Sequence, residues 1–384
     1  MKIADRKQCT GCGACADICP ASCISMRLSE EGFLFPVIEE SRCTGCGVCG
    51  KACHVLNPPE KRLPRTALVA WALDETVRTS SSSGGVYSVL GESILEHGGM
   101  ISGCRFDRDL VLKHELCGQP GGTVRFRGSK YVQCFTDGIY RKIRQELMNG
   151  RTVLFTGTPC QVAGLQTYLG RPYETLITCD LVCHGVPSQK VFRSYLERHR
   201  LFPDPDRSVI AFRDLKGWGD FYIRISEENG IQWRSDDATN EFIRAFLSGY
   251  DYNEACYGCP YARMERIGDL TLADFWGLGK NVPFEGDPSK GCSLILVNTD
   301  KGGKMLQAVK DKLFLEERTP EEARQGNGQL RAPVSRQPMR DVFYQMDWGS
   351  IARKINYGNP SPVRKLLRAC KRTVLGWLKP GNGH

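Results

Sequence analysis

The sequence predicts an α+β protein of mixed α/β character: a small cysteine-dense module, then a larger domain of strands alternating with helices, then a basic C-terminal helix. Three observations carry that expectation. Eight cysteines fall into two copies of one spacing before residue 54, a proline-rich break follows at 57–64, and beyond it short apolar runs alternate with helical stretches. At 384 residues the chain exceeds what two small metal centres need, so a core of ordinary size is expected after the break.

The first copy is Cys9, Cys12 and Cys15 with Cys19, and the second is Cys43, Cys46 and Cys49 with Cys53. Each reads C-x2-C-x2-C-x3-C, the spacing of two-cluster ferredoxins, in which the fourth cysteine of one run ligates the cluster held by the other. One 4Fe-4S cluster is thus expected on Cys9, Cys12, Cys15 and Cys53, and a second on Cys43, Cys46, Cys49 and Cys19. Gly11, Gly13, Gly45 and Gly47 allow the tight turns round them. Zinc suits the pattern poorly, because its sites are usually two separated pairs and sulfurs would be left without a role. Pro20 follows the first run as expected, whereas His54 holds that place in the second, which bears on the turn after Cys53 and not on ligation. Cys23 reads as a small buried residue. The module is a ferredoxin-like domain over residues 1–60, and it moves electrons.

Between the runs, residues 24–27 and 32–38 read as two short strands joined by a polar turn. Residues 57–64 are a polar, proline-rich linker. Beyond it the sequence predicts strands over 67–73, 100–106, 111–116, 152–155 and 176–182, and helices over 84–96, 138–148, 161–169 and 190–199. Further strands are expected at 209–212, 222–225, 270–272 and 293–297, and a helix at 302–312. This domain is expected to span 65–330, with a basic tail over 331–384.

The opening residues carry no apolar run of the kind that marks a secretory signal, and no stretch is apolar for the roughly 20 residues of a spanning helix. Nineteen cysteines, twelve of them candidate metal ligands, point to a reducing compartment, and a cytoplasmic location is expected.

Two loops in the large domain expose hydroxyls and backbone N–H groups ahead of a helix. One is Ser80 to Gly85, and the other is Thr156-Gly157-Thr158-Pro159, with Pro159 at a first helical position. Such loops suit a phosphate or pyrophosphate, although each is also an ordinary cap, and neither is a Walker loop or GxGxxG. Cys160, Cys183, Cys256 and Cys259 suffice for a third cluster, with a zinc knot or unpaired buried cysteines as alternatives and Cys179 as rival to Cys183. Cys104, Cys117, Cys134, Cys292 and Cys370 read as ordinary.

Arg78 to Gly85, Gly157-Thr158-Pro159-Cys160-Gln161, Cys183-His184-Gly185-Val186-Pro187-Ser188, the Cys256/Cys259 pair, Asp269 to Gly277 and Lys290-Gly291-Cys292-Ser293 occur in that order. With these motifs the chain resembles, over about residues 1 to 330, the coenzyme F-420 hydrogenase/dehydrogenase beta subunit family, which includes 7-hydroxymethyl chlorophyll a reductase. The resemblance implies a flavin-binding α/β domain. It implies FAD held by Ser82, Ser83, Gly84, Gly85, Thr156, Gly157, Thr158 and Lys290, and a 4Fe-4S cluster on Cys160, Cys183, Cys256 and Cys259. Asp274 and Trp276 are candidates to face the flavin, or else a turn with a packed aromatic. Nothing in the sequence identifies a deazaflavin pocket or a catalytic residue.

From Gln345 onward eight lysines and arginines stand against Asp347 alone, so the tail supplies most of the net charge of +9. Val363, Leu366, Leu367, Cys370, Val374, Trp377 and Leu378 share one face of a basic amphipathic helix, suited to packing on its own domain or to peripheral contact with an anionic membrane. No recognised fold accompanies the charge to suggest nucleic acid. The expected function is that of an iron-sulfur flavoprotein oxidoreductase exchanging electrons with a small-molecule substrate or with a redox partner such as ferredoxin or a deazaflavin. The alternative is an electron-transfer subunit docked on a separate catalytic protein.

Overall fold

The computed structural model describes residues 3–213, 218–338, 340–345 and 347. The expected basic C-terminal helix therefore lies outside the described residues.

The cysteine-dense head holds two short helices, α1 (Ala14–Ile18) and, after an antiparallel pair β1 (Ile24–Leu28) and β2 (Leu34–Ile38), α2 (Val48–Lys51). Each helix is entered from a glycine in the left-handed region, Gly13 at φ 78° and Gly47 at φ 74°, where a side chain would be strained.

Beyond the head, β3 (Thr66–Ala72) leads through α3 (Glu75–Thr79) and α4 (Val86–Glu96) to the hairpin β4 (Met100–Phe106) and β5 (Leu112–Cys117). Then come α5 (Ile139–Met148), β6 (Val153–Gly157), α6 (Pro159–Leu169), β7 (Leu176–Leu181) and α7 (Gln189–Arg198). After β8 (Val209–Ala211), β9 (Arg224–Glu227), β10 (Gly230–Arg234) and α8 (Glu241–Ser248) follow β11 (Leu270–Asp274) and β12 (Ser293–Val297). The described chain closes with α9 (Asp300–Gln307), β13 (Leu313–Arg318), α10 (Pro320–Gly326) and α11 (Arg340–Gln345).

One eight-stranded mixed sheet organises this domain in the order β13-β3-β12-β11-β7-β6-β4-β5. Its middle strands β11, β7, β6 and β4 run parallel, and antiparallel strands flank them on both sides. Strands covered on both faces read as continuous apolar runs. Val153, Leu154 and Phe155 of β6 and Leu294, Ile295 and Leu296 of β12 are accordingly fully buried. β8, β9 and β10 form a separate three-stranded sheet.

The expected helix at 302–312 starts earlier and ends sooner, because Thr299 caps it by accepting from Gly302 N–H at 3.1 Å and a 3-10 turn replaces its end at 310–312. β10, α8, β13 and α10 were not anticipated. β13 is an edge strand bonded only to β3, and its mixed Leu-Phe-Leu-Glu-Glu-Arg pattern lacks the apolar run of a central strand.

Polar side chains clamp the head onto the sheet domain. Asp17 accepts from the N–H groups of Gly138 and Tyr140, both at 3.1 Å, and the Thr136 hydroxyl donates to the Cys12 carbonyl at 2.8 Å. Gln133 receives Leu34 N–H at 3.0 Å and donates to the Thr10 carbonyl at 3.2 Å. Among the described residues no helix is long and apolar enough to cross a membrane.

Candidate redox site

In the head, Cys9 and Cys15 each sit in the electrostatic field of Cys53, and Cys49 in that of Cys19 and Cys46. The fourth cysteine of each run thus lies beside cysteines of the other, Cys53 by Cys9 and Cys15 and Cys19 by Cys49. Burial pushes the free thiols of Cys9 and Cys15 up, to about 11 and about 12, so these groups ionise readily only with a cation on them. Cys23 is buried, and its sulfur lies 3.4 Å from that of Cys19.

The large domain gathers four more thiols from three segments. Cys160 lies in the first turn of α6, Cys183 just past β7, and Cys256 and Cys259 in and after a 3-10 turn at Glu254–Gly258. Cys256 feels Cys183, Cys259 and Cys160, and Cys183 feels Cys160 and Cys259. Cys179 stays in the sheet core, fully buried, with Asp180 and Asp269 as its charged neighbours.

A buried ion pair holds these segments together. Arg266 and Asp180, whose side chains are 1 % and 0 % exposed, meet at 2.8 Å. Arg266 also donates to the carbonyls of Tyr261 and Leu181, both at 2.8 Å, and Asp180 accepts from the N–H groups of Ile267 and Gly268. The strand leading to Cys183 is thereby tied to the turn carrying Cys256 and Cys259.

A mononuclear zinc ion with Zn–S near 2.3 Å draws its sulfurs to about 3.8 Å of one another. Among the described residues, the only group of three or more Cys, His, Asp or Glu with all ligand atoms within 4.8 Å is Cys104, His114 and Cys134.

The first set in the head abuts the set in the large domain. Cys12 lies in the field of Cys160, and the Thr10 hydroxyl bonds Cys160. His54 bridges Thr10 Oγ1 at 3.0 Å and Tyr261 Oη at 2.8 Å, and burial pulls its imidazole down to about 4. The residue that departs from the usual proline is thus a bolt between head and sheet domain. Helix α6 passes so close that a Cβ on Gly164 would lie 3.0 Å from Cys12 Sγ.

At the carboxyl ends of β6, β7 and β11, where open α/β sheets bind ligands, lies a cavity of about 340 Å³. Ser82, Ser83, Gly85, Thr156, Gly157 and Thr158 line it. Gly84 is not on the lining: its N–H donates to Ser293 Oγ at 3.0 Å, and a Cβ there would collide with the Ala70 carbonyl. Lys290 is likewise off the wall, paired with Glu75 at 2.5 Å in an exposed position. Among the described residues, two buried lining groups, Thr156 Oγ1 and Tyr87 Oη, have no hydrogen-bond partner. A buried hydroxyl without a partner is costly, and a polar ligand in the cavity satisfies it.

Asp274 and Trp276 line the same cavity. Asp274 takes two bonds from Arg213 at 2.9 and 2.5 Å and one from Trp218 Nε1 at 3.1 Å, and Trp218 stacks on Trp276 at 4.7 Å. Burial works against the Arg213 charge, but the Asp274 carboxylate outweighs it and the guanidinium stays ionised. His184 is pulled down to about 4 by burial and by Arg213. Sequence reasoning missed Arg213, which lies just beyond β8 in no motif. Its only signal was a lone arginine after an apolar run.

Residues 150–323 match the family described as the C terminus of the coenzyme F420 hydrogenase/dehydrogenase beta subunit, and residues 8–56 match the 4Fe-4S dicluster domain. Among solved structures the chain is similar to one from the F420-reducing [NiFe] hydrogenase complex of Methanosarcina barkeri, studied by xenon derivatization. The TM-score is 0.46 at 16 % identity, over 84 % of this chain and 96 % of that one. No curated protein matches the sequence. The chain thus joins a segment that matches the 4Fe-4S dicluster domain to a segment that matches the C terminus of the coenzyme F420 hydrogenase/dehydrogenase beta subunit.

Proposed function

We propose that the protein is an iron-sulfur flavoprotein oxidoreductase, with FAD in the cavity, a third 4Fe-4S cluster on Cys160, Cys183, Cys256 and Cys259, and the head over residues 1–60 as its electron port. One observation carries the reading: Cys12, Cys160 and Cys183 wall the same cavity as the serine and threonine loops before α4 and α6. Thiols from the first and third sets thus border the space where a flavin would lie.

The chain's own groups divide the work. The loops before α4 and α6 offer N–H groups and the Ser82 hydroxyl to a diphosphate at two helix N-termini, while the Ser83 and Thr158 hydroxyls donate to the Cys292 carbonyl and to Gln161 Oε1 and fix the two loops. Thr156 and Tyr87 supply the unpartnered hydroxyls, and the Arg213–Asp274 pair with Trp276 forms a fixed polar and aromatic wall. FAD bound there supplies the conversion between single electrons from clusters and electron pairs for a small-molecule substrate.

The second reading is an electron-transfer subunit docked on a catalytic partner. It is favoured by the exposure of Cys46, which brings the second head cluster to the surface for a redox partner such as ferredoxin or a deazaflavin-dependent protein. Anaerobic purification with iron, sulfide and FAD quantitation separates the two. About twelve irons and one FAD per chain support the flavoprotein. About eight irons and no FAD in folded protein leave the docking subunit.

A further inference from the structure

Cys104, His114 and Cys134, none of which the sequence marks as functional, come together beside the cavity. Cys104 on β4 lies directly opposite His114 on β5. Cys134 sits on a segment that runs along the other side of β5, where Phe135 accepts from His114 N–H and donates to the Leu112 carbonyl, both at 2.8 Å. The two sulfurs and the imidazole lie within 4.8 Å of one another, and both cysteines line the cavity.

The surroundings favour an anion at this point. Lys130 Nζ donates to the carbonyls of Phe126, Arg127 and Gly128 at 2.9, 2.9 and 3.0 Å, and it faces both sulfurs. Gln161 Nε2 donates to the Cys134 carbonyl at 3.2 Å, which turns Oε1 toward His114 Nε2 at 3.3 Å. An amide oxygen only accepts, so that ring nitrogen carries the proton, and Nδ1 is engaged by Ser102 Oγ at 3.2 Å. With both ring nitrogens engaged and an ammonium against the sulfurs, the group is a poor cation site. It holds the Cys104 thiol well below its usual range through the Cys134 hydrogen bond, with His114 and Lys130 adding, while burial keeps Cys134 protonated. A thiolate beside a thiol is the reactive form of a dithiol.

We propose that Cys104 and Cys134 are a redox-active dithiol that closes to a disulfide on the cavity wall and exchanges an electron pair with a flavin bound there. This rests on the flavin reading of the cavity. Closure forms one S–S bond, and the pair gives up two electrons and, counted from the dithiol, two protons. An oxidised flavin takes both electrons and one proton, and the other proton leaves to solvent. Opening is the reverse, with reduced flavin as donor. Closure draws the two sulfurs from within 4.8 Å to about 2.05 Å and, because β5 lies between the two segments, brings their backbones closer as well.

The test uses the anaerobic holoprotein equilibrated in glutathione buffers of graded redox poise, acid-quenched, alkylated and mapped by mass spectrometry, with FAD and metal assayed on the same samples. The expected result is a Cys104–Cys134 linked peptide at oxidising poise and two alkylated thiols at reducing poise. A long-wavelength thiolate-to-flavin absorption in the dithiol state, lost in Cys104→Ser, is expected with it. Both thiols alkylated at every poise in FAD-loaded protein overturn the proposal, as does a bound metal ion beyond the clusters that blocks both sulfurs without linking them. A linked pair in protein without FAD supports the dithiol and overturns the flavin reading instead.

Discussion

The head and the sheet domain gather cysteines by opposite means. In the head, three of every four come from one short run whose turns are set by Gly13 and Gly47, and only Cys19 and Cys53 cross over. In the sheet domain the four thiols come from three segments, and a buried Asp180–Arg266 pair decides where those segments meet. The local set should survive damage to the fold. The assembled set should not.

The largest effect is expected where that assembly depends on charge. Arg266→Leu leaves the Asp180 side chain without its cation at the centre of the sheet domain, a loss of about 3–5 kcal/mol. Denaturant unfolding with iron counting should show lower stability and loss of about a third of the iron, with the head's share retained. Wild-type stability and iron in this variant would contradict the assembled-set account.

Next in size is the junction between the two regions. Gly164→Val drives methyl groups into Cys12 and the Tyr140 hydroxyl, since even a Cβ there stands at 3.0 Å from each, and overpacking of this kind costs about 1–3 kcal/mol. The iron count should hold. Stopped-flow reduction should show electrons entering the head normally but leaving it more slowly. His54→Phe, which removes the bridge between Thr10 and Tyr261, should act in the same direction by about 1–3 kcal/mol through the hydroxyls left unpaired.

The smallest effect contrasts two buried carboxylates. Asp180 has a cation in direct contact, whereas among the described residues neither carboxyl oxygen of Asp251 has a hydrogen-bond partner, and burial holds its pKa well above the usual range against the pull of Arg340. The sign follows from proton binding: the folded state keeps the Asp251 proton longer than the unfolded chain does. Its contribution is complete below the ordinary carboxylate range near 3.9 and is lost as pH rises toward the folded value. Asp251→Asn cannot ionise, so thermal unfolding from pH 5 to 8 should show a flatter profile, with a gain on the order of 1 kcal/mol at the alkaline end. An unchanged profile would show that Asp251 does not carry this dependence.

The strands were legible where they are buried on both faces, as at Val153–Phe155 and Ser293–Val297, because such strands are unbroken apolar runs. Edge elements such as β13 were not, because a half-exposed strand mixes its residue types. Pro159 correctly marked the start of α6. In the cavity, the serine and threonine loops were readable as helix starts, but Arg213 and Lys130 were not, because each acts through partners distant in the chain.

By itself the sequence determined the two head runs and the succession of strands and helices, since ligands two or three residues apart and apolar periods are properties of a short stretch of backbone. Only the tertiary structure decided that Cys183 and not Cys179 meets Cys160, Cys256 and Cys259, because β7 ends at Leu181 and releases one while keeping the other in the sheet. It also decided that Cys104 meets Cys134 and that His54 reaches Tyr261. Those contacts join residues on different strands and loops, and no local spacing records them.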